Sequence, residues 1–373
     1  MRSVARRFRV SLNTVQRWLQ RAADERLDRV DWTNRSHAPR KPHRTAPEVE
    51  DRVLSLRREL KEDSDLGEFG AAAIQREMLQ LQAKVVPSVA TINRILERHG
   101  ALDARRRVRR PAPPPGWYLP DLAAKRAELD SFDIIEDLTI QGGIHVEILN
   151  GVSLHGGLVA SWPKSFISAK AVMDSLIAHW REAGLPGYAQ FDNDTRFQGP
   201  HNRPDVIGRV SRLCVQLGIV PVFAPPQETG FQASIEAYNG RWQLKVWRRF
   251  HHESLEALQQ RSSRYVVAYR KRLQPRIEAA PARPEFPADW ELDLQRKLSG
   301  QIVFLRRSSE QGSISLLGRT FEVERHWVHR LVRAVVDLDL GRIRFFALRR
   351  RDPQQQPMLR EVAYEVRHRA FLE

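Results

Sequence analysis

Apolar residues alternate with polar ones in some stretches and recur every third or fourth position in others. The switches between these two periods divide the chain. Ser131 to Glu136 carries Phe132, Ile134 and Ile135, which are β-prone, and predicts a buried strand. Ile144 to Leu149 and Gly157 to Ala160 predict two more, with Gly142-Gly143 and Gly156-Gly157 as turns. Phe166 to Glu182 has helical spacing through Ile167, Val172, Leu176, Ile177 and Trp180. A strand follows over Tyr188 to Asn193, then a helix over Val206 to Leu217 and a fifth strand over Ile219 to Phe223. From Ser234 to Phe250 few helix breakers occur, and Ile235, Trp242 and Val246 mark one face of a last helix. Three strands, helix, strand, helix, strand, helix describe an α/β core with a mixed five-stranded sheet.

The flanks read differently. Ser3 to Leu19 gives a short helix, a turn near Val10-Ser11 and a second helix with Val15, Trp18 and Leu19 as its apolar face. Asn13, Thr14, Gln16 and Arg17 are left for solvent or a groove, as in a DNA-reading helix-turn-helix or a plain helical hairpin. Residues 45–100 supply three more helices. Thr45 and Glu48 form a capping box, Phe69 to Leu81 is the middle helix, and Ser88 caps Val89 to His99 ahead of Gly100. Thr91, Asn93, Arg94 and Arg98 are candidate contacts of a second DNA-binding module, though helices serving only the core fit equally well. Arg105, Arg106, Arg107, Arg109 and Arg110 precede a proline run and suit phosphate contact along an extended linker. After a second proline-bearing linker from Gln274 to Pro287, five short apolar runs between Ile302 and Leu348 predict a small C-terminal β-barrel. The expected domains are thus 1–40, 45–100, 121–275 and 296–373, joined by linkers at 101–120 and 276–295.

Charge sharpens the picture. The net charge is +16, from 61 Lys plus Arg against 45 Asp plus Glu, and favours a polyanionic partner. Residues 1–120 hold 25 basic and 15 acidic groups, residues 121–236 hold 9 and 14, and residues 237–276 hold 10 and 2. The acidic middle lies between basic flanks. The one cysteine, Cys214, sits in an apolar run and reads as a packing residue; no disulfide framework is possible, which suits a reducing cytoplasm. No run of eighteen apolar residues predicts a membrane span.

Three acids in the middle segment suggest chemistry. Asp133 lies within an apolar strand, Asp192 closes another, and Glu236 starts the last helix. An acid on a buried strand is costly unless its charge is compensated, and a divalent cation shared by carboxylates does this. Two such ions can activate a water or a 3′-hydroxyl and stabilise the oxygen leaving phosphorus.

The element order, with Gly-Leu-Pro at 184–186, Phe-Asp-Asn at 191–193, Leu-Gly-Ile-Val-Pro-Val-Phe at 217–223 and Ile-Glu-Ala-Tyr-Asn at 235–239, resembles bacterial insertion-sequence transposases. These have a retroviral-integrase-type catalytic core of ribonuclease H-like fold. The resemblance implies that Asp133, Asp192 and Glu236 form an Asp-Asp-Glu triad binding two magnesium or manganese ions. It also implies double-stranded DNA as partner and assembly of several protomers on it. The N-terminal pair resembles the helix-turn-helix at the front of many transposases, without the helix that usually precedes it, so the natural start is expected upstream of Met1. The C-terminal strands resemble the family's DNA-binding domains. Lys245, Arg248 and Arg249 beyond Glu236 are expected on phosphates, while Asn193 and Asn239 either position DNA or cap the surface. The sequence departs from the family in carrying Gln232-Ala233 where Asn-Gly is usual, no Asp near Ser153, and 43 residues between Asp192 and Glu236. The expected function is DNA transposition in a bacterial cytoplasm; the alternatives are an inactive transposase-derived DNA-binding regulator and a structure-selective ribonuclease H-like nuclease.

Overall fold

The computed structural model describes residues 1–23, 25–33, 45–102, 115–200, 203–228, 230–350 and 352–366. The chain divides into two compact units, residues 1–54 and 55–373. In the first, α1 (Arg2–Phe8) ends at Arg9 in a left-handed conformation, and Ser11 begins α2 (Leu12–Ala22) by accepting from the Thr14 amide at 3.1 Å. Val15 is buried, but Leu19 is 51% exposed, contrary to the expected apolar face. Trp18 instead meets Trp32, ring centroids 5.4 Å apart, and Arg21 lies over Trp18. Helix α3 (Pro47–Asp63) contains the boundary between the units.

The second unit continues with α4 (Ala71–Gln80) and α5 (Val89–Arg98). Ser88 caps α5 through the Thr91 amide, and Gly100 takes the positive φ of +62° that ends it. After α6 (Pro120–Ala123) come β1 (Leu129–Ile140), β2 (Ile144–Ser153) and β3 (Val159–Lys164), paired antiparallel. Helix α7 (Ala169–Ala183), β4 (Tyr188–Phe191), α8 (Thr195–Gln198), α9 (Arg209–Gln216), β5 (Val220–Phe223) and α10 (Ala233–Trp242) follow. Strand β4 runs parallel to β1 and to β5. The predicted order of strands and helices is therefore present.

Two parts of the structure differ from the sequence-based expectation. Helix α10 opens into a wider π-helical turn at Gln243–Trp247, and a 24-residue helix α11 (Leu255–Glu278) then runs through Pro275, where a linker was expected to have begun. The C-terminal strands are also not a closed barrel. They are β6 (Gln301–Arg307), β7 (Ser313–Leu316), β8 (Arg319–Glu322), β9 (Leu331–Asp337), β10 (Arg342–Ala347) and β11 (Met358–Ala363). Strand β6 joins β5 in parallel, Val222 opposite Val303 and Phe223 opposite Phe304, so one open sheet has the order β11-β10-β9-β6-β5-β4-β1-β2-β3. Only β7 and β8 form a separate hairpin sheet. The physical reason is the β5 edge. Without β6 its backbone groups and Phe223 would be uncovered.

Successive strands place phenylalanines side by side: Phe132 to Phe191 at 5.7 Å, Phe191 to Phe223 at 6.1 Å and Phe223 to Phe304 at 5.1 Å between centroids. Helices α7 and α9 pack over this face, with Trp180 and Cys214 fully buried. Burial pushes the Cys214 thiol up, consistent with a packing role. On the opposite face, Ile235, Tyr238, Trp242 and Val246 of the α10 segment pack with Tyr265 and Tyr269 of α11 against Ile148 and Val159. Among the described residues, no helix is long and apolar enough to cross a membrane.

Gly151 lies opposite Phe132 in the β1–β2 register, and a Cβ there would stand 2.7 Å from the Phe132 ring. Gly151→Ala must displace the ring beside Asp133, and is expected to cost about 1–3 kcal/mol in urea unfolding, the usual range for overpacking. An unchanged midpoint would show that the ring moves freely.

Candidate active site

Side chains alternate across a strand, so the residue after each phenylalanine faces away from the aromatic layer. On β1 that residue is Asp133, and at the end of β4 it is Asp192. Both are part-buried. Glu236 lies exposed in the first turn of α10, a helix held against β1 and β2 by Ile235, Tyr238 and Trp242. One turn later Asn239 donates to Asp133 Oδ2 at 2.6 Å, and Asn150, opposite Asp133 on β2, donates to Asn239 Oδ1 at 2.8 Å.

Burial, followed by the negative charge of Asp192 and, more weakly, Glu236, pushes the Asp133 carboxyl up to about 6, although Asn239 and the Ile134 amide favour its ionised form. Asp192 is also raised, first by burial; the amide of Asp194 opposes this from 2.9 Å. Arg196 supplies nearby positive charge. It binds Asp194 at 2.6 Å and Glu136 at 2.5 Å, and stands 3.6 Å from Glu147. The sequence offered no signal for this arginine, because its partners come from β1, β2 and its own turn.

Asp133 thus feels the charge of both other acids, yet among the described residues no three His, Cys, Asp or Glu side chains already form a metal-holding group. The donors are all hard oxygens, and Asp133 carries an electrostatic penalty that a cation would remove; on these grounds the residues suit a magnesium-class ion. The same penalty has a pH signature. The folded protein holds the Asp133 proton more tightly than the unfolded chain, whose carboxyl titrates near ~4, so this group adds stability as pH falls through 6 toward 4. Its contribution between pH 7 and pH 4 is about 2 kcal/mol. The difference in unfolding free energy between the metal-free protein and Asp133→Asn should change by that amount across the range. A pH-independent difference would remove the charge coupling.

The other candidate residues are placed as follows. Asn13, Gln16 and Arg17 are exposed on α2, whereas the Thr14 hydroxyl is bonded to Ser11 at 2.7 Å. Asn93, Arg94 and Arg98 are exposed on α5, whose Ile92, Ile95 and Leu96 are buried. Arg105, Arg106, Arg107, Arg109 and Arg110 lie outside the described residues. Lys245 and Arg249 do not point to an open surface. Lys245 donates to the Gly67 carbonyl at 2.5 Å, and Arg249 donates to the carbonyls of Ser64, Lys61 (3.2 Å) and Glu62 (2.8 Å). They satisfy backbone acceptors at and beyond the end of α3, which charge spacing alone did not reveal. Arg248, in the same turn, is exposed. Asn193 donates to the Ala224 carbonyl at 2.8 Å rather than capping the surface.

Residues 14–96 match the model of a homeodomain-like domain. No curated protein sequence matches the chain. Among solved structures, similarity is found to a simian T-cell lymphotropic virus intasome in complex with a PP2A regulatory subunit, at 14% identity over 71% of this chain and 88% of that one, with a TM-score of 0.36. The catalytic core domain of BIV integrase is similar at 17% identity over 40% of this chain and 94% of its own, TM-score 0.30. The HTLV-2 integrase catalytic core domain in complex with magnesium is similar at 12% identity over 37% and 82%, TM-score 0.27.

Proposed function

We propose that the chain is a transposase of the integrase type, a polynucleotidyl transferase that binds the ends of a DNA element, cleaves there and joins a 3′-hydroxyl to target DNA. The observation that carries this reading is the coupling of Asp133 to Asp192 and Glu236 at the loop end of a mixed sheet. Asp133 and Asp192 would hold a first magnesium or manganese ion, with Asp133 also reaching a second that Glu236 completes. When bound, such ions would activate the oxygen of a water or a 3′-hydroxyl as nucleophile and stabilise the leaving oxygen. The chain's own residues do the rest. Asn239 fixes the Asp133 carboxylate, and the Asp194 amide together with Arg196 holds the Asp192 turn.

DNA would be engaged outside this acidic centre. The homeodomain-like match runs from Thr14 in α2 to Leu96 in α5, and Gln16 and Arg17 within it, with Asn13 just before it, are the proposed base-reading groups of the first helical pair. The linker arginines from 105 to 110 would add contacts without sequence choice, and protomers would assemble on paired ends. The proposed division of labour keeps residues 1–40 and 45–100 for binding and 121–275 for chemistry.

The test is a cleavage and joining assay on a linear duplex carrying the sequences that flank the gene, with manganese and with chelator. Metal-dependent nicks confined to the flanks, followed by joined products, are expected. Cleavage of hybrids or junctions alone would favour a nuclease, and end-specific binding with no cleavage would favour a regulator.

A further inference from the structure

We propose that Arg306 is a positioning residue: acting through Asn193, it sets the loop that carries Asp192, and so makes the C-terminal strands part of the cleavage machinery. The inference rests on the transferase reading of the acids.

Arg306 is the penultimate residue of β6 and only 8% exposed. Its Nη2 donates to Asn193 Oδ1 at 2.8 Å, its Nη1 to the carbonyls of Leu305 at 2.9 Å and Ala224 at 3.3 Å, and its Nε to Ser315 at 3.2 Å. Asn193 in turn donates to the same Ala224 carbonyl at 2.8 Å, and the Ala224 amide reaches Phe191 O at 3.0 Å. A closed set of bonds therefore braces the ends of β4, β5 and β6. Asp192 is the next link in that chain.

Energetics argue against a purely structural purpose. These acceptors are a side-chain amide and three carbonyls, all neutral, and burial lowers the guanidinium to about 10. Burying a cation on neutral acceptors is costly, and an apolar residue of similar volume usually serves a core as well or better. What an apolar residue cannot do is hold Asn193 Oδ1 while Asn193 holds Ala224. Orientation of the residue beside Asp192 is what the arrangement adds.

The experiment uses the full chain with Asn193→Ala, Arg306→Met and both together, read by single-turnover cleavage with manganese, DNA affinity, and amide hydrogen exchange over residues 192–196. Each single change should slow cleavage about ten- to a hundredfold, the loss typical of small misplacement of a reacting group. DNA affinity should stay within about twofold, because phosphate contacts lie elsewhere. The double variant should be no slower than the worse single one, since both changes break one linkage. A single variant cleaving at the wild-type rate, or a double loss equal to the product of the two single losses, overturns the proposal. If Arg306→Met fails to fold, the part-exposed Asn193→Ala carries the test. Should the wild type itself not cleave, the failure falls on the proposed function. Exchange at 192–196 still decides the brace, being faster in both variants if it exists and unchanged if it does not.

Discussion

Asp192→Asn is expected to abolish strand cleavage, by a thousandfold or more, on the order of 4 kcal/mol in the barrier, while DNA affinity stays nearly the same. The substitution keeps the side chain's shape, and its remaining oxygen can still accept from the Asp194 amide, which stands 2.9 Å from Asp192 Oδ1. It removes one negative charge from the acidic centre and with it a proposed ligand for a divalent ion. Affinity for DNA is expected from another source. The chain carries +16 in all, with the excess in residues 1–120 and 237–276, so a single change in the acidic middle barely alters the counterions released on binding. Calorimetric titration with manganese should show weakened binding, and Asp133 should lose part of its upward shift as its charged neighbour disappears. Full cleavage by the Asp192→Asn protein would sink the triad assignment.

Arg283→Ala should be the most destabilising of the changes considered, by about 3–5 kcal/mol, the range for stripping a buried ion pair of one partner. Arg283 donates to both oxygens of Asp130, at 2.6 and 3.0 Å, and Trp180 Nε1 adds a third bond at 3.2 Å. Asp130 is 1% exposed; burial alone would raise it, but Arg283 and His179 hold it well below the usual carboxylate range. The stabilisation is present above the unfolded value near ~4 and is lost as pH falls through the depressed folded value. In Arg283→Ala the carboxyl is buried without its cation and titrates upward instead. The stability gap between the two proteins should therefore be widest at neutral pH and narrow on acidification, as denaturant unfolding at pH 7 and pH 4 would measure. A gap that ignores pH would assign the loss to packing of the 279–298 segment alone.

The core was legible because its strands alternate cleanly and its helices show one apolar face, so the positions of Asp133 on a strand, Asp192 at the end of another and Glu236 on a helix can be read from the sequence. Local periodicity does not record partners. Strand β6 was recognisable as a strand from Ile302 to Leu305, but nothing in those residues states that Val303 and Phe304 pair with Val222 and Phe223. Helix α11 was missed in part because its Gln- and Arg-rich surface and Pro275 resemble a linker, while its buried face is spread thinly over Leu258, Ser262, Tyr265, Val266 and Tyr269. A positive charge one or two turns beyond Glu236 suggests a phosphate contact for Lys245 and Arg249. The competing partners, carbonyls near the end of α3, lie almost half the chain away in sequence. Asn239 was named beside the triad, yet only the structure shows which carboxylate it holds.

The parallel seam between β5 and β6 also sets an order on synthesis. The ribosome delivers Val220–Phe223 almost eighty residues before the strand that covers it, beginning at Gln301. Until then the nascent protein presents a short, apolar, hydrogen-bond-ready border, the kind of surface on which chains adhere to one another. A copy of the gene interrupted after α11 would leave that border open permanently. Its product would retain Asp133, Asp192 and Glu236 and be prone to aggregation, so a frameshift near codon 290 would silence the protein by insolubility rather than by loss of its acids.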